Sequence, residues 1–288
     1  MKIALGTVQF GMRYGIANTG GQTSPDEVGE ILAYARSQGV DTLDTAIGYG
    51  ESEAVLGGHA LNGWKVISKI GSVPTDCKDT AAWVKERILG SLSRLRIPAL
   101  YALLLHSPRQ LLEAKGDEIY SALNSAKEEG IIGKFGVSIY NPRELDMLVD
   151  RYPFGIVQAP FNILDHRLVD SGWMGRLQAA GVEIHVRSLF LQGLLLMSES
   201  ERPKTFLRWK NLWTAWSAWL EQTHQSALEA CLRFVLAHPE INRAVVGVDS
   251  LKQIQEICAA TSGEAPSVPS SIRSDDEELL NPSCWSNL

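Results

Sequence analysis

Eight short runs of strand-forming residues recur along the chain with helical stretches between them, and no other feature constrains the fold so tightly. The runs are KIALGT (2–7), VDTLDT (40–45), KVISKI (65–70), ALYALLLH (99–106), GKFGVSI (133–139), FGIVQAP (154–160), VEIHVRSL (182–189) and RAVVGV (243–248). They are continuous apolar runs rather than alternating ones, as strands buried on both faces require. Among the helical segments, SPDEVGEILAYARSQG opens on Ser24-Pro25 and stops at Gly39, which is good helix punctuation. The others cover 79–95, 117–130, 142–151, 166–180, 224–237 and 250–260. Parallel neighbours need crossover connections, so this alternation predicts either a (β/α)8 barrel or a doubly wound sheet. No linker divides the 288 residues, and a hydrophobic content of 45% is enough to bury one large core. The expected organisation is a single domain over 1–288, with 265–288 as a C-terminal tail.

Two stretches fall outside the pattern. The segment 196–223 carries Trp209, Trp213, Trp216 and Trp219 on one helical face, which reads as an aromatic packing stripe. The tail from Gly263 is rich in Ser and Pro, with an acidic patch at Asp275–Glu278. It reads either as an ordered loop over a barrel mouth anchored by Trp285, or as a loose end. The net charge of −6 includes no block of Lys or Arg, which argues against nucleic acid or an anionic membrane as the main partner. The apolar run at the N-terminus is broken at Gly6 and Thr7, too early for a signal peptide, and no run reaches membrane-spanning length. A cytoplasmic protein is expected. Cys77, Cys231, Cys258 and Cys284 lack C-x-x-C spacing, so reduced structural thiols are expected and no metal site.

In a (β/α)8 barrel the working residues stand at the C-terminal ends of the strands. Those ends carry Asp44 and Tyr49 after the second strand, Lys69 at the third and His106 at the fourth. Ser138, Gln158 and the pair Arg187-Ser188 follow at the fifth, sixth and seventh. Taken singly, each has a structural explanation: a helix cap, a strand-end lysine, a satisfied core histidine. Four ionisable groups on one rim of three successive strands point instead to chemistry.

The stretches LDTAIGYGESEAVLG, ISKIG, SLSRLRIPALYALLLHSP and GKFGVSIY resemble the aldo-keto reductases. The likeness runs in the family's order from LGTVQFG through ALEACLRFVLAHP to VVGVDSLKQIQEI. It implies a single (β/α)8 barrel that binds a nicotinamide cofactor in extended form without a Rossmann fold. The chain agrees, since Gly48-Tyr49-Gly50 is its nearest approach to G-x-G-x-x-G and Glu53 stands where the third glycine belongs. The first strand begins almost at once, so the family's N-terminal hairpin plug is expected to be reduced or absent.

The resemblance also implies an NAD(P)H-dependent reductase of aldehyde or ketone carbonyls. Hydride arrival builds negative charge on the carbonyl oxygen, which needs a proton in concert. Tyr49 is the implied general acid. An ammonium beside a phenol favours its ionised form, and Lys69 takes that role, with Asp44 pairing and fixing Lys69. His106 would hydrogen-bond the substrate oxygen or relay the proton.

For the cofactor, Gly6 and Thr7 match the turn near the nicotinamide ribose, and Ser138 and Gln158 match the residues that hold the carboxamide. Ile139 replaces a common Asn, and Arg187 stands where an aromatic ring usually stacks on nicotinamide. Ser188, Phe190, Gln192 and Gly193 belong to the stretch SLFLQGLL that matches the pyrophosphate loop. Gly247, Ser250, Gln253 and Glu256 match the adenosine-phosphate site, with Ile257 in place of an Asn and Asp249 and Lys252 where many members place a partner for a 2′-phosphate. NADPH is the family default, and NADH is not excluded. Met12, Tyr14, Asn162 and the 196–223 segment are candidates to line a substrate mouth. LGTVQFGMRYGIAN looks most like bacterial members associated with sugar metabolism. The rival readings are a nicotinamide-binding sensor or accessory subunit with negligible turnover, and an aldolase using Lys69, which a charged Asp44 partner disfavours.

Overall fold

The computed structural model describes residues 1–288, apart from the side chain of Asn287. β1 (Ile3–Gly6) leads through α1 (Val8–Gly11) and α2 (Pro25–Ser37) to β2 (Thr42–Asp44) and α3 (Ser52–Gly57). β3 (Lys65–Ile70), α4 (Thr80–Leu95), β4 (Leu100–Leu105), α5 (Gly116–Glu128) and β5 (Ile132–Ser138) follow. Then come β6 (Ile156–Pro160), α6 (Arg167–Asp170), α7 (Trp173–Ala179) and β7 (Glu183–Arg187). α8 (Lys210–Thr223), α9 (Ala227–Leu236), β8 (Arg243–Gly247), α10 (Leu251–Ala260) and α11 (Glu277–Leu280) complete the chain. All eight strands pair in parallel with their neighbours, and β8 returns to β1, so the sheet closes. That closure selects the barrel over the doubly wound sheet. No hairpin stands before β1 among the described residues, and no described helix is long and apolar enough to cross a membrane.

Local chemistry sets the helix ends. Ser24 accepts from the Glu27 amide with Pro25 at the first helical position, and Asp79 caps α4 through the Ala82 amide. Ser226 and Glu229 form a capping box at α9. Two expected helices differ. The segment 166–180 is split into α6 and α7 at Gly172, whose φ of 77° is a left-handed conformation that ends a helix. The segment 142–151 forms only a 3₁₀ turn, Pro142–Met147, with Leu145 and Leu148 both buried. In a 3₁₀ turn residues three apart eclipse, which places both leucines on the inner side.

Alternate strand residues point into the barrel. There Ile67, Ala102, Leu104 and Ile156 form an apolar cluster separate from the larger core between strands and helices. Lys69 and Gln158 are the next inward positions above Ile67 and Ile156, so they stand on this plug at the C-terminal rim.

The tryptophan stripe packs as expected. Trp213, Trp216 and Trp219 are buried, and the rings of Trp216 and Trp219 stack at 5.5 Å. Trp209 is half-buried and donates from Nε1 to Asp276 in the tail at 2.9 Å. The tail is ordered along the C-terminal rim: Ile272, Leu279 and Leu280 are buried, and Ser274 N donates to Leu164 O. Trp285 packs edge-on against Phe206 at 4.9 Å, the anchoring expected of it. Removing a large buried ring leaves a cavity as well as lost transfer energy. Trp216→Ala should therefore destabilise the protein by about 3–5 kcal/mol, read as a lower urea midpoint; a loss under ~1 kcal/mol would contradict this packing.

Candidate active site

β2 ends on Asp44, and its neighbour β3 carries Lys69 one residue before its own end. Lys69 Nζ lies 2.5 Å from Asp44 Oδ1, 3.0 Å from the Thr45 carbonyl and 3.3 Å from the Tyr49 hydroxyl. The two charged residues are 1% and 3% exposed, so each depends on the other to offset desolvation. Asp44 Oδ2 accepts from Gln158 Nε2 at 2.6 Å, and Gln158 Oε1 accepts from Ser138 Oγ at 3.2 Å. Both carboxylate oxygens are thus satisfied. Burial alone would lower the Lys69 pKa, but the Asp44 carboxylate and Tyr49 outweigh it and hold the amine charged, above the usual lysine range.

Tyr49 sits on the loop after β2, where its amide donates to Ala46 O and its carbonyl accepts from Ser52 N. Ser52 Oγ donates to the Thr7 carbonyl at 2.8 Å, tying that loop to β1. Behind it, buried Glu53 accepts from Ser68, Ser91 and both donors of an Arg94 fork at 2.6–2.9 Å. The residue that breaks the dinucleotide fingerprint therefore serves the fold, clamping α3, and with it the tyrosine loop, onto α4. His106 follows β4 and packs its ring edge-on to Tyr49 at 6.0 Å. Its pKa is pushed down to about 4, first by burial and then by the Lys69 and Arg187 cations, so the imidazole is neutral at pH 7.

A cavity of about 400 Å³ begins at Asp44 and Tyr49 and runs past Gly6, Thr7, Arg187, Ser188, Phe190, Gln192 and Gly193 to Gly247, Gln253, Glu256 and Ile257. Arg187 donates to the Ile139 carbonyl at 2.9 Å and to Ser188 Oγ at 3.2 Å, with its guanidinium 4.5 Å from the Tyr140 ring centroid. Ser188, Leu191 and Gln192 all have positive φ, and Gly193 at 91° packs so tightly on Ala17 that a Cβ would come within 2.4 Å of the Ala17 methyl. Three non-glycine residues held there mark a tightly determined loop.

Most of the remaining expected residues lie elsewhere. Ser138 and Gln158 are buried behind Asp44, bonded to each other. Ser250 caps α10, its Oγ accepting from Gln253 N. Asn162 is fully buried and joins the β6 and β7 loops through Leu164 N, Asp165 N and Ser188 O, so it is not a mouth residue. Of the 196–223 segment only Leu196 lines the cavity, and Met12 is exposed and not among the lining residues. Tyr14 lines it too, and burial holds its phenol above the usual range.

Two polar residues not singled out from sequence, Asn18 and Gln9, also line the cavity. Asn18 is buried and donates to Asp249 Oδ1 at 2.8 Å. Gln9 is 9% exposed, and its Oε1 is buried without a partner. A Cβ on Gly247 would fall 2.6 Å from the Gln9 amide. An orphaned polar atom on a cavity wall is where a ligand hydroxyl or amide would complete the bonding. Gln9 lies within LGTVQFG, the one signal that could have flagged it.

The profile described as "Aldo/keto reductase family" matches residues 2–267. An uncharacterised oxidoreductase of Bacillus subtilis, YqkF, is 26% identical over 81% of this chain and 82% of its own. The L-galactose dehydrogenase of Arabidopsis thaliana is 25% identical over 91% of this chain and 86% of its own. Among solved structures, the holo form of an aldo-keto reductase from Bacillus halodurans superposes with a TM-score of 0.73 at 20% identity, covering 94% of this chain and 89% of that one. A glycerol dehydrogenase from Gluconobacter oxydans gives 0.68 at 19%, covering 92% and 88%.

The neutral His106 ring makes stability depend on pH. Its folded pKa of about 4 lies below the ordinary 6.5, so the unfolded chain binds the extra proton between those values. The contribution present above pH 6.5 is lost as pH falls toward 4. In urea melts the stability of wild type relative to His106→Gln should decline over that window, and parallel profiles would contradict the neutral assignment.

Proposed function

The chain belongs to the aldo/keto reductase family and is an NAD(P)H-dependent oxidoreductase, and on that premise we propose that it interconverts aldehyde or ketone carbonyls and alcohols with Tyr49 as general acid. The observation that carries this reading is the Tyr49 hydroxyl held 3.3 Å from a buried, charged Lys69 at the head of a deep cavity. The nicotinamide, when bound, supplies or accepts the hydride. Tyr49 Oη delivers the proton to the substrate oxygen, and the Lys69 ammonium stabilises the phenolate left behind. Asp44, held by Gln158, keeps Lys69 protonated and in place. A neutral His106 can donate one ring N–H to the substrate oxygen without adding a third cation.

Gly6, Thr7, the 188–193 loop and the wall from Gly247 to Ile257 would hold the dinucleotide along the cavity. Gln158 is committed to Asp44 and Ser138, so in this reading the pair contributes through the carboxylate as well as through any carboxamide contact. The substrate is proposed to be polyhydroxylated, sugar-like in character. The names of the Arabidopsis L-galactose dehydrogenase and the Gluconobacter glycerol dehydrogenase support this. A binding-only sensor would leave the buried ammonium at Tyr49 without a purpose.

Tyr49→Phe should reduce turnover on an activated aldehyde by about 10²–10⁴-fold. Cofactor affinity from fluorescence titration should stay within about twofold, because only the proton donor is lost. Retained turnover would remove Tyr49 from the role. Arg187 places a cation where the nicotinamide ring would stack, which opposes the positively charged oxidised ring. Arg187→Tyr should tighten binding of the oxidised cofactor relative to the reduced one, and an unchanged ratio of dissociation constants would refute that placement.

A further inference from the structure

The end of the cavity away from Tyr49 is lined with acceptors. Asp249 follows β8 half-buried: its Oδ1 accepts from Asn18, while its Oδ2 meets only the Gln253 amide, at 3.5 Å. Glu256 lines the same wall, and the partnerless Gln9 Oε1 lies beside Gly247. Lys252 meets Glu256 from outside the cavity, and no Lys or Arg among the described lining residues faces this wall. Arg187 is the only Lys or Arg lining the cavity among the described residues, and it turns toward β5, onto Ile139 and Tyr140. Lys252 has a side chain 83% exposed, outside the cavity, with Glu256 at 3.7 Å.

The two cofactor forms make opposite demands on such a wall. An unmodified adenosine ribose presents two hydroxyl donors, which suit carboxylate and amide oxygens. A 2′-phosphate brings about two negative charges and further acceptors, and it is ordinarily met by Arg or Lys. Against two carboxylates it is repelled, and partial burial limits screening.

We infer that Asp249, backed by Glu256, makes this enzyme selective for NADH by accepting from the ribose diol and excluding a 2′-phosphate. The inference rests on the nicotinamide-binding reading above and reverses the NADPH default implied by the sequence resemblance.

Fluorescence titration of the full chain with NADH and with NADPH tests it without any turnover. NADH should bind at least about tenfold tighter, with the gap narrowing as salt rises. Asp249→Asn keeps an acceptor and the Asn18 contact but drops the charge, and it should tighten NADPH by about threefold or more while NADH changes less. Glu256→Gln, on the exposed face of α10, should tighten NADPH in the same direction even if Asp249→Asn fails to fold. Equal affinities in wild type, or variants that leave the ratio unmoved, would overturn the selectivity while leaving the nicotinamide reading intact. Absence of binding by either form would overturn both.

Discussion

A buried ammonium–carboxylate pair, Lys69 with Asp44, is the interaction on which the site depends. Two charges at 1% and 3% exposure are tolerated only when geometry and additional hydrogen bonds offset their desolvation. The Thr45 carbonyl and the Tyr49 hydroxyl complete the ammonium's shell, and Gln158 takes the second carboxylate oxygen with Ser138 behind it. The participants come from β2, β3, β5 and β6, so the polar network ties four staves across the barrel mouth. Closure of the sheet and placement of the ammonium beside the Tyr49 hydroxyl are therefore one constraint: opening the barrel would strand both charges.

The network also organises the electrostatics around it. Lys69 stays charged because Asp44 is there, and its charge, with that of Arg187, helps hold His106 neutral. The Tyr49 end of the cavity thus carries one carboxylate-paired cation and one, Arg187, with no carboxylate partner among the described residues. The far end carries Asp249 and Glu256. A ligand lying along this cavity meets a field that changes sign along its length, which the mild net charge of −6 does not reveal.

Sequence reading reached the parts governed by local rules. All eight strands were visible because a parallel barrel strand is a continuous apolar run between turn signals. The helices α2 and α4 were visible, α2 through its Ser24-Pro25 start and α4 as the helical pattern over 79–95. The 142–151 and 166–180 segments were misread because apolar spacing does not separate a 3₁₀ turn from a helix, or show that Gly172 turns left-handed in place. Asn162 read as a mouth residue and proved to be a buried loop staple, since its partners are amides and carbonyls with no signature in the lettering.

The order of the strand ends, and the residue types standing on them, were determined by the sequence alone: alternation forced parallel staves, and parallel staves put Asp44, Tyr49, Lys69 and His106 on one rim. Only the tertiary structure decided which of those groups touch. Distances such as the 2.5 Å ion pair, the Gln158 contact to a residue 114 positions away and the orphaned Gln9 oxygen arise when the barrel closes. Closure brings distant segments together at ångström precision, while the spacing along a chain constrains only near neighbours.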